Sequence, residues 1–305
     1  MNRHSVSCED LAAVVADALP VRLVAIDVDG TLTTSRHDVS PTVRSAVRRA
    51  LEANIDLVLA TGRRYRDVLG IAIDLGITLP IVTASGALLK EPGTHRTIAR
   101  SAFPDAVLPA LLDVIFESGH EAIVYTDSFA DGFDFYWRGT DAPSGGLAED
   151  LDRNRDLAKA APDLRRNPPA DVFAGFAFGT HPAMVDLEQR LRQRFGPLVS
   201  VHVIRSPRYG DWLCEVAPGG ITKWSGVETI ARSLGVPDRA ICAVGDDMND
   251  LPMLSAAGIG VAMGNAVDAV RRQARAIAPT NDEDGLAVLL NLLTGRRVGG
   301  DSKMR

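Results

Sequence analysis

Two aspartates one position apart, Asp27 and Asp29, close the apolar opening of "LVAIDVDGTLT" at residues 23–33. Carboxylates this near repel each other and cost free energy to desolvate, so their place at the end of a hydrophobic run implies a use. Further polar groups follow at three places: Thr61, Gly62 and Arg63 in "ATGR", Lys223 just after "PGG", and Asp246, Asp247, Asn249 and Asp250 in "VGDDMND". Gathered in one crevice, the carboxylates would raise each other's pKa unless a cation offset them. Mg²⁺ suits the purpose, being hard, oxygen-seeking and content with two carboxylates, waters and a phosphate oxygen. One of the twin aspartates could then attack phosphorus as a nucleophile. The other could protonate the leaving oxygen and later take a proton from water. Thr61 offers a hydroxyl and nearby backbone N–H groups to phosphate oxygens, and Lys223 supplies positive charge to the transferring group.

The elements that must bring these groups together are legible as alternating strands and helices. "VRLVAI" (21–26), "IDLVLA" (55–60) and "LPIVTAS" (79–85) are short apolar runs that fit buried strands. Between the first two, Ser40 and Pro41 open a helix whose Val43, Ala46, Val47, Ala50 and Leu51 share one face. A second helix over 63–75 stops at Gly76. Such a series implies right-handed crossovers in a parallel sheet, with ligands bound beyond the strands' carboxyl ends. The same grammar returns after residue 221, with a helix closed by Gly235, the strand "AICAVGD", a short helix at "NDLPMLSAAG", the strand "GIGVAMG" and two further helices.

The middle of the chain is different. It holds most of the aromatics, with strands expected at "AIVYTD", "VFAGFAFG" and "LVSVHVIR" and helices at 103–119 and 182–196. Residues 139–170 are expected to form a long loop or an extra helix, with no element placed within them. The expected fold is therefore α/β, a Rossmann-like parallel-sheet core into which an α+β domain is inserted. The core takes residues 21–87 and 217–295, the insert 88–216, with an N-terminal extension at 1–20 and a flexible tail at 296–305. Leu11, Val14, Val15, Ala18 and Leu19 give the extension a helical apolar face that would pack on the core.

Composition narrows the function. The 305 residues carry a net charge of −6, which disfavours nucleic acid as the main partner but leaves room for a small phosphorylated ligand. Six scattered histidines and three cysteines, Cys8, Cys214 and Cys242, share no metal-binding spacing, and reduced, buried thiols in a cytoplasmic protein are expected. No apolar run approaches the roughly 18 residues of a membrane span. The acidic residues before the first apolar stretch do not fit a signal peptide. Oligomeric state leaves no mark.

Taken in order, "DVDGTLT", "ATGR" (60–63), "EVAPGGITKWSGV" (215–227) and "VGDDMNDLPML" (244–254) resemble the motifs of the haloacid dehalogenase superfamily, mostly Mg²⁺-dependent phosphatases. "AGIGVAMGNAVDAV" and "TNDEDGLA" are similar to its Cof-like branch, which carries a large α/β cap between the second and third motifs. The resemblance implies that Asp27 is the nucleophile, becoming an aspartyl-phosphate, and Asp29 the general acid and base. It implies a metal held by Asp27, the Asp29 carbonyl and Asp246, with Asp250 supporting its water shell. Thr61 and Lys223 match the phosphate-binding pair, Asn249 the substrate-side phosphate contact, and Gly62 and Arg63 complete the second motif, which the resemblance places on the phosphate as well. One position departs from the pattern. Many members carry Asn before the Gly-Ala that follows the third strand, and here it is Ser85, whose shorter hydroxyl cannot reproduce both amide contacts.

Competing readings are weaker. A calcium loop begun by Asp27 and Asp29 wants Gly at its sixth position, where Leu32 stands. "GIGVAMG" has the wrong glycine spacing for a dinucleotide site and lies in the last part of the sheet. Tyr125, Phe133, Phe135, Tyr136 and Trp137 could line a sugar pocket, or fill a core. The expectation is a cytoplasmic phosphatase of small metabolites, foremost sugar phosphates. The alternatives are a phosphomutase on the same core and an idle phosphate-binding regulator.

Overall fold

The computed structural model describes residues 8–17, 20–140, 143, 145–205 and 210–295. The tail expected at 296–305 lies outside them, as do Ala18 and Leu19 of the N-terminal segment. Two compact units emerge, one formed by the residues up to Ile98 and from Thr222, the other by Ala99–Ile221.

In the first unit, α1 (Cys8–Asp17) buries Leu11 and Val15 against the elements that end the chain. It leads to β1 (Leu23–Ile26), in which all four residues are buried, as a strand covered on both faces requires. After β1 come α2 (Pro41–Glu52) and β2 (Asp56–Leu59), then α3 (Tyr65–Leu75). Ser40 caps α2, its hydroxyl accepting the Val43 N–H at 3.1 Å. Val43, Ala46, Val47 and Ala50 face inward, while Leu51 is only half-buried.

The chain then departs from expectation. β3 (Ile81–Thr83) touches the parallel sheet through a single bridge, Val82 with Ala60. Its ladder is antiparallel to β4 (Leu88–Lys90), in a three-stranded sheet completed by β5 (Thr97–Arg100). A tight turn at 84–86 reverses the chain there, so 88–98 stays with the first unit instead of opening the insert at 88.

The second unit begins with α4 (Val107–Glu117), β6 (Ala122–Tyr125) and β7 (Phe135–Trp137). The segment left unassigned in the sequence holds α5 (Gly145–Arg153) and β8 (Ala158–Ala160). β9 (Ala174–Gly179), α6 (His181–Phe195), β10 (Val199–Arg205) and β11 (Trp212–Pro218) follow. The six strands run in the order β10-β11-β9-β6-β7-β8, antiparallel except for β7 with β8. Helices α4 and α6 supply Leu111, Leu112, Ile115, Met184, Leu187 and Leu191 to the core beneath them. Tyr125 and Phe135 are core residues, whereas Phe133, Tyr136 and Trp137 are partly exposed. Ala217 and Pro218 remain paired with Ser200 and Val199, and the Gly219 N–H reaches the Leu198 carbonyl at 2.8 Å. These bonds hold the chain in the second unit until residue 221, past the join expected at 216.

Back in the first unit lie α7 (Lys223–Ser233), β12 (Ile241–Gly245), α8 (Leu251–Ala256) and β13 (Ile259–Ala262). The chain continues through α9 (Asp268–Gln273) and β14 (Ala276–Ile277) to α10 (Gly285–Gly295). The parallel sheet has the order β14-β13-β12-β1-β2. Its two-residue edge strand, β14, is too short to leave an apolar pattern in the sequence. Register matters most for function. Ile26 pairs with Leu59 on one side and Val244 on the other, so Asp27, Ala60 and Gly245 leave the sheet at one level.

Candidate active site

Asp27 follows β1 directly, its N–H bonded to the Val244 carbonyl at 3.0 Å. Residues 28–32 wind into a wide turn closed by Leu32 N–H to Asp27 O at 3.2 Å and Thr33 N–H to Val28 O at 2.9 Å. Gly30 sits at φ +74°, and a Cβ there would lie 2.2 Å from Asp246 Oδ2. The turn thus needs glycine twice, for its left-handed backbone and for the close approach of Asp246.

Lys223 opens α7 behind Thr222, whose hydroxyl caps the helix on the Ser225 N–H. Its buried Nζ donates to Asp27 Oδ1 and to Asp250 Oδ1, each at 2.6 Å. Asp250 is fully buried, and its Oδ2 accepts the N–H groups of Asp246 and Asp247 at 2.9 and 3.0 Å. Asp27, Asp246 and Asp250 each offer an oxygen, and these lie within 4.8 Å of one another. Three carboxylates therefore face one ammonium. Burial, then the charge of Asp250, drives the Asp27 pKa well above the ordinary carboxylate value, and Lys223 only partly opposes them. Burial and Asp250 likewise push Asp246 up to about 7. Burial acts to lower the Lys223 pKa, but Asp250 and Asp27 outweigh it and raise the net value. The Asp246 carboxylate itself is only loosely tethered, with Thr31 Oγ1 and Asn265 Nδ2 both at 3.4 Å. A crowded set of hard oxygen donors with surplus negative charge fits a divalent cation.

Asp29 has a different setting. Its side chain is 42% exposed, against 5% for Asp27. Arg63 grips it with a fork, Nε to Oδ2 at 2.8 Å and NH2 to Oδ1 at 2.6 Å, and His37 Nδ1 lies 3.8 Å from Oδ1. Burial acts to raise the Asp29 pKa, but the Arg63 hydrogen bonds and charge, helped by His37 and Lys223, hold it below the ordinary value. Two of the three guanidinium nitrogens of Arg63, expected on phosphate, are thus engaged by Asp29.

Thr61 is buried just past β2, its hydroxyl accepting the Arg63 N–H at 3.0 Å and its own N–H bonded to Val82 O at 2.8 Å. Gly62 faces Ser85 and Asn249. A Cβ on Gly62 would lie 3.5 Å from Ser85 Oγ and 3.9 Å from Asn249 Nδ2. Asn249 Oδ1 is buried without a hydrogen-bond partner. Asp247 turns outward and caps the turn at 248–250 through the Met248 N–H at 2.7 Å.

Asp27, Asp29, Thr61, Gly62, Arg63, Asp246, Asn249 and Asp250 lie just past the strand ends of the parallel sheet, and Lys223 joins them from the start of α7. Asp27, Lys223, Asp246 and Asp250 form one cluster, Asp29 and Arg63 a pair beside it. Asn265 was missed. Its Nδ2 donates to Gly30 O at 2.8 Å, its Oδ1 accepts the Asn281 N–H at 2.9 Å, and Asn281 Nδ2 donates to Thr33 O at 2.9 Å. This chain of amides holds the turn after β1. Its signal is its place three residues past the end of β13, among the polar groups beyond the strand ends.

Comparison with known proteins agrees with this geometry. The family model of haloacid dehalogenase-like hydrolases matches residues 24–290. A phosphatase of Bacillus subtilis, YwpJ, is 29% identical over an alignment covering 90% of this chain and all of that one. The 5-amino-6-(5-phospho-D-ribitylamino)uracil phosphatase YitU of the same organism is 30% identical, covering 88% and 96%. The pyridoxal phosphate phosphatase YbhA of Escherichia coli is 28% identical, covering 88% and 97%. A crystal structure of a haloacid dehalogenase-like hydrolase from Bacteroides thetaiotaomicron superposes with a TM-score of 0.73 at 26% identity, over 89% of this chain and 98% of that one. The chain belongs to the haloacid dehalogenase-like hydrolases. Within them it is a phosphatase of the Cof-like branch. Among the described residues, no helix is long and apolar enough to cross a membrane.

Proposed function

We propose that this protein is a cytoplasmic, Mg²⁺-dependent phosphatase of small phosphorylated metabolites, foremost sugar and sugar-alcohol phosphates, working through an aspartyl-phosphate. The observation that carries the reading is the buried Lys223 bridging Asp27 and Asp250, with Asp246 alongside. Asp27 Oδ attacks phosphorus, and the oxygen of the departing alcohol takes the proton of Asp29. In the second half, a water gives its proton to the Asp29 carboxylate and attacks the same phosphorus, releasing phosphate and restoring Asp27. Lys223 holds Asp27 in place and offsets charge on the transferring group. Thr61 and the backbone around Gly62 receive phosphate oxygens. Asp27, Asp246 and the Asp29 carbonyl would hold the Mg²⁺, while Asp250, with both oxygens already engaged, braces Lys223 and the Asp246 backbone. The ion supplies charge neutralisation and polarises the phosphoryl group when bound. The sugar-alcohol leaning is supported by the relative named for a phosphoribityl substrate.

The test is phosphate release from an aryl phosphate and a panel of sugar and nucleotide phosphates, with and without Mg²⁺. Asp27→Asn should abolish release while leaving the circular dichroism spectrum unchanged. Net release also separates a phosphatase from a mutase. Retained activity in the variant would show that another group attacks.

A further inference from the structure

Three consecutive residues between β3 and β4 have left-handed backbones: Ala84 at φ +47°, Ser85 at +54° and Gly86 at +108°. Gly86 has a plain reason, since a Cβ there would lie 2.1 Å from the Thr222 carbonyl, at the cap of the helix that presents Lys223. The turn is also tied to the site loop, through Ala84 N–H to Arg63 O at 3.1 Å and Ser85 N–H to Thr61 O at 3.0 Å. Ala84 and Ser85 both carry a β-carbon that this conformation disfavours. At position 85, Asn or Gly would sit more comfortably than Ser. Ala84 bears the same strain with only a methyl group, so what sets Ser85 apart is the place of its hydroxyl beside the phosphate-binding loop.

That side chain faces the same side of Gly62 as Asn249, as the distances above define. The buried, unpartnered Asn249 Oδ1 is an acceptor, and an ionised phosphoryl group has no hydrogen to give it. A hydroxyl on the alcohol portion of the substrate does. We propose that Ser85 and Asn249 form the seat for the leaving alcohol, and that Ser85 is a specificity-determining residue. Its hydroxyl exchanges a hydrogen bond with a substrate hydroxyl near the esterified carbon, and its small size leaves room for that group beside Gly62. This rests on the phosphatase reading given above and goes beyond it in naming which residues select the alcohol.

The experiment compares kcat/KM for glycerol 3-phosphate and n-propyl phosphate, which differ by the hydroxyls, in the full chain with Mg²⁺. Wild type should prefer the hydroxylated ester. Ser85→Ala, which keeps the β-carbon but not the hydroxyl, should lose about fivefold or more on glycerol 3-phosphate and little on propyl phosphate. Asn249→Ala should also erase the preference. Ser85→Gly should show the same kinetic defect while melting above Ser85→Ala, because it relieves the backbone. A merely structural serine would give equal losses on both esters. An unchanged preference in Ser85→Ala overturns the proposal, and so does Ser85→Gly melting at or below Ser85→Ala. If wild type hydrolyses neither ester, or Asp27→Asn hydrolyses both, the reading of the whole site falls and the inference with it.

Discussion

Replacing Lys223 by methionine removes the cation set between Asp27 and Asp250 and keeps most of the side chain's volume. Every consequence has the same sign. Two hydrogen bonds of 2.6 Å to carboxylates are lost, each worth roughly 1.5–3 kcal/mol when a partner is charged. Two buried carboxylates, 4% and 0% exposed as residues, are left facing each other. Breaking a buried ion pair by deleting one partner costs about 3–5 kcal/mol, which agrees with the hydrogen-bond sum. The variant should melt about 6–20 °C below wild type when both are measured in chelator, at roughly 2–4 °C per kcal/mol. The loss should also depend on pH. Burial and Asp250 already raise the Asp27 pKa against the pull of Lys223, and without Lys223 it rises further. Between the unfolded value, about 3.9, and the raised native one, the folded state binds more protons than the unfolded state. Stability then falls as pH rises. The deficit of the variant should therefore be greater near pH 8 than near pH 5, by thermal or urea unfolding. A variant within about 1 kcal/mol of wild type near pH 8, or one whose deficit shrinks with rising pH, would refute the assignment of Lys223 as the charge that stabilises this cluster.

Two further substitutions probe the neighbouring turns. Gly30→Ala forces a β-carbon to within 2.2 Å of Asp246 Oδ2 at φ +74°, so it should cost about 1–2 kcal/mol and displace the Asp246 carboxylate. Titration calorimetry should then find Mg²⁺ affinity lowered at least about tenfold, and unchanged affinity would mean that Asp246 is no ligand. Arg63→Lys keeps the charge but loses the fork on Asp29. Losing the fork lets the Asp29 pKa rise toward the ordinary carboxylate value, so the acid limb of the kcat–pH profile, below which Asp29 cannot take a proton from water, should move to higher pH. An acid limb that stays in place while KM rises would put Arg63 on the phosphate instead.

The parallel core was legible because its strands are buried on both faces. Runs such as "LVAI" and "ICAV" carry no polar residue to blur them, and strand-end placement then gathers Asp27, Thr61 and Asp246 without further information. What escaped was set by single atoms in space. β3 looks like any other buried strand until the left-handed turn after it makes a hairpin. The joins between units shifted because hydrogen bonds hold residues 217–219 to 198–200, and an apolar pattern does not report partners. The second motif puts Arg63 with the phosphate-binding residues, whereas a guanidinium fork matches a carboxylate equally well and Asp29 is within reach. Asn265 and His37 act through distance, and neither has a spacing that announces it.

The twin aspartates show why two identical side chains so close together can divide a reaction. Asp27 is enclosed, and burial with Asp250 pushes its pKa up against Lys223. Asp29 stands at the open side, and Arg63 with His37 pulls its pKa down against burial. Taken alone, these directions would suit the reverse roles, a proton-holding acid at Asp27 and a bare carboxylate at Asp29, and the charge of a divalent cation beside Asp27 is what would invert them. In the proposed mechanism, the enclosed one must be a nucleophile, which needs its oxygen bare at the moment of attack. Lys223 and a divalent cation would both favour that state, and the surplus of carboxylates around Asp27 suits the site to such an ion. The open one must exchange protons with alcohol and water, so it cannot be sealed away. The Arg63 fork favours its carboxylate form, the form that takes a proton from water in the second half. Gly30, between the two, is what lets Asp246 join Asp27 while Asp29 turns to Arg63. A side chain at that one position would force a choice between the carboxylate cluster and the turn.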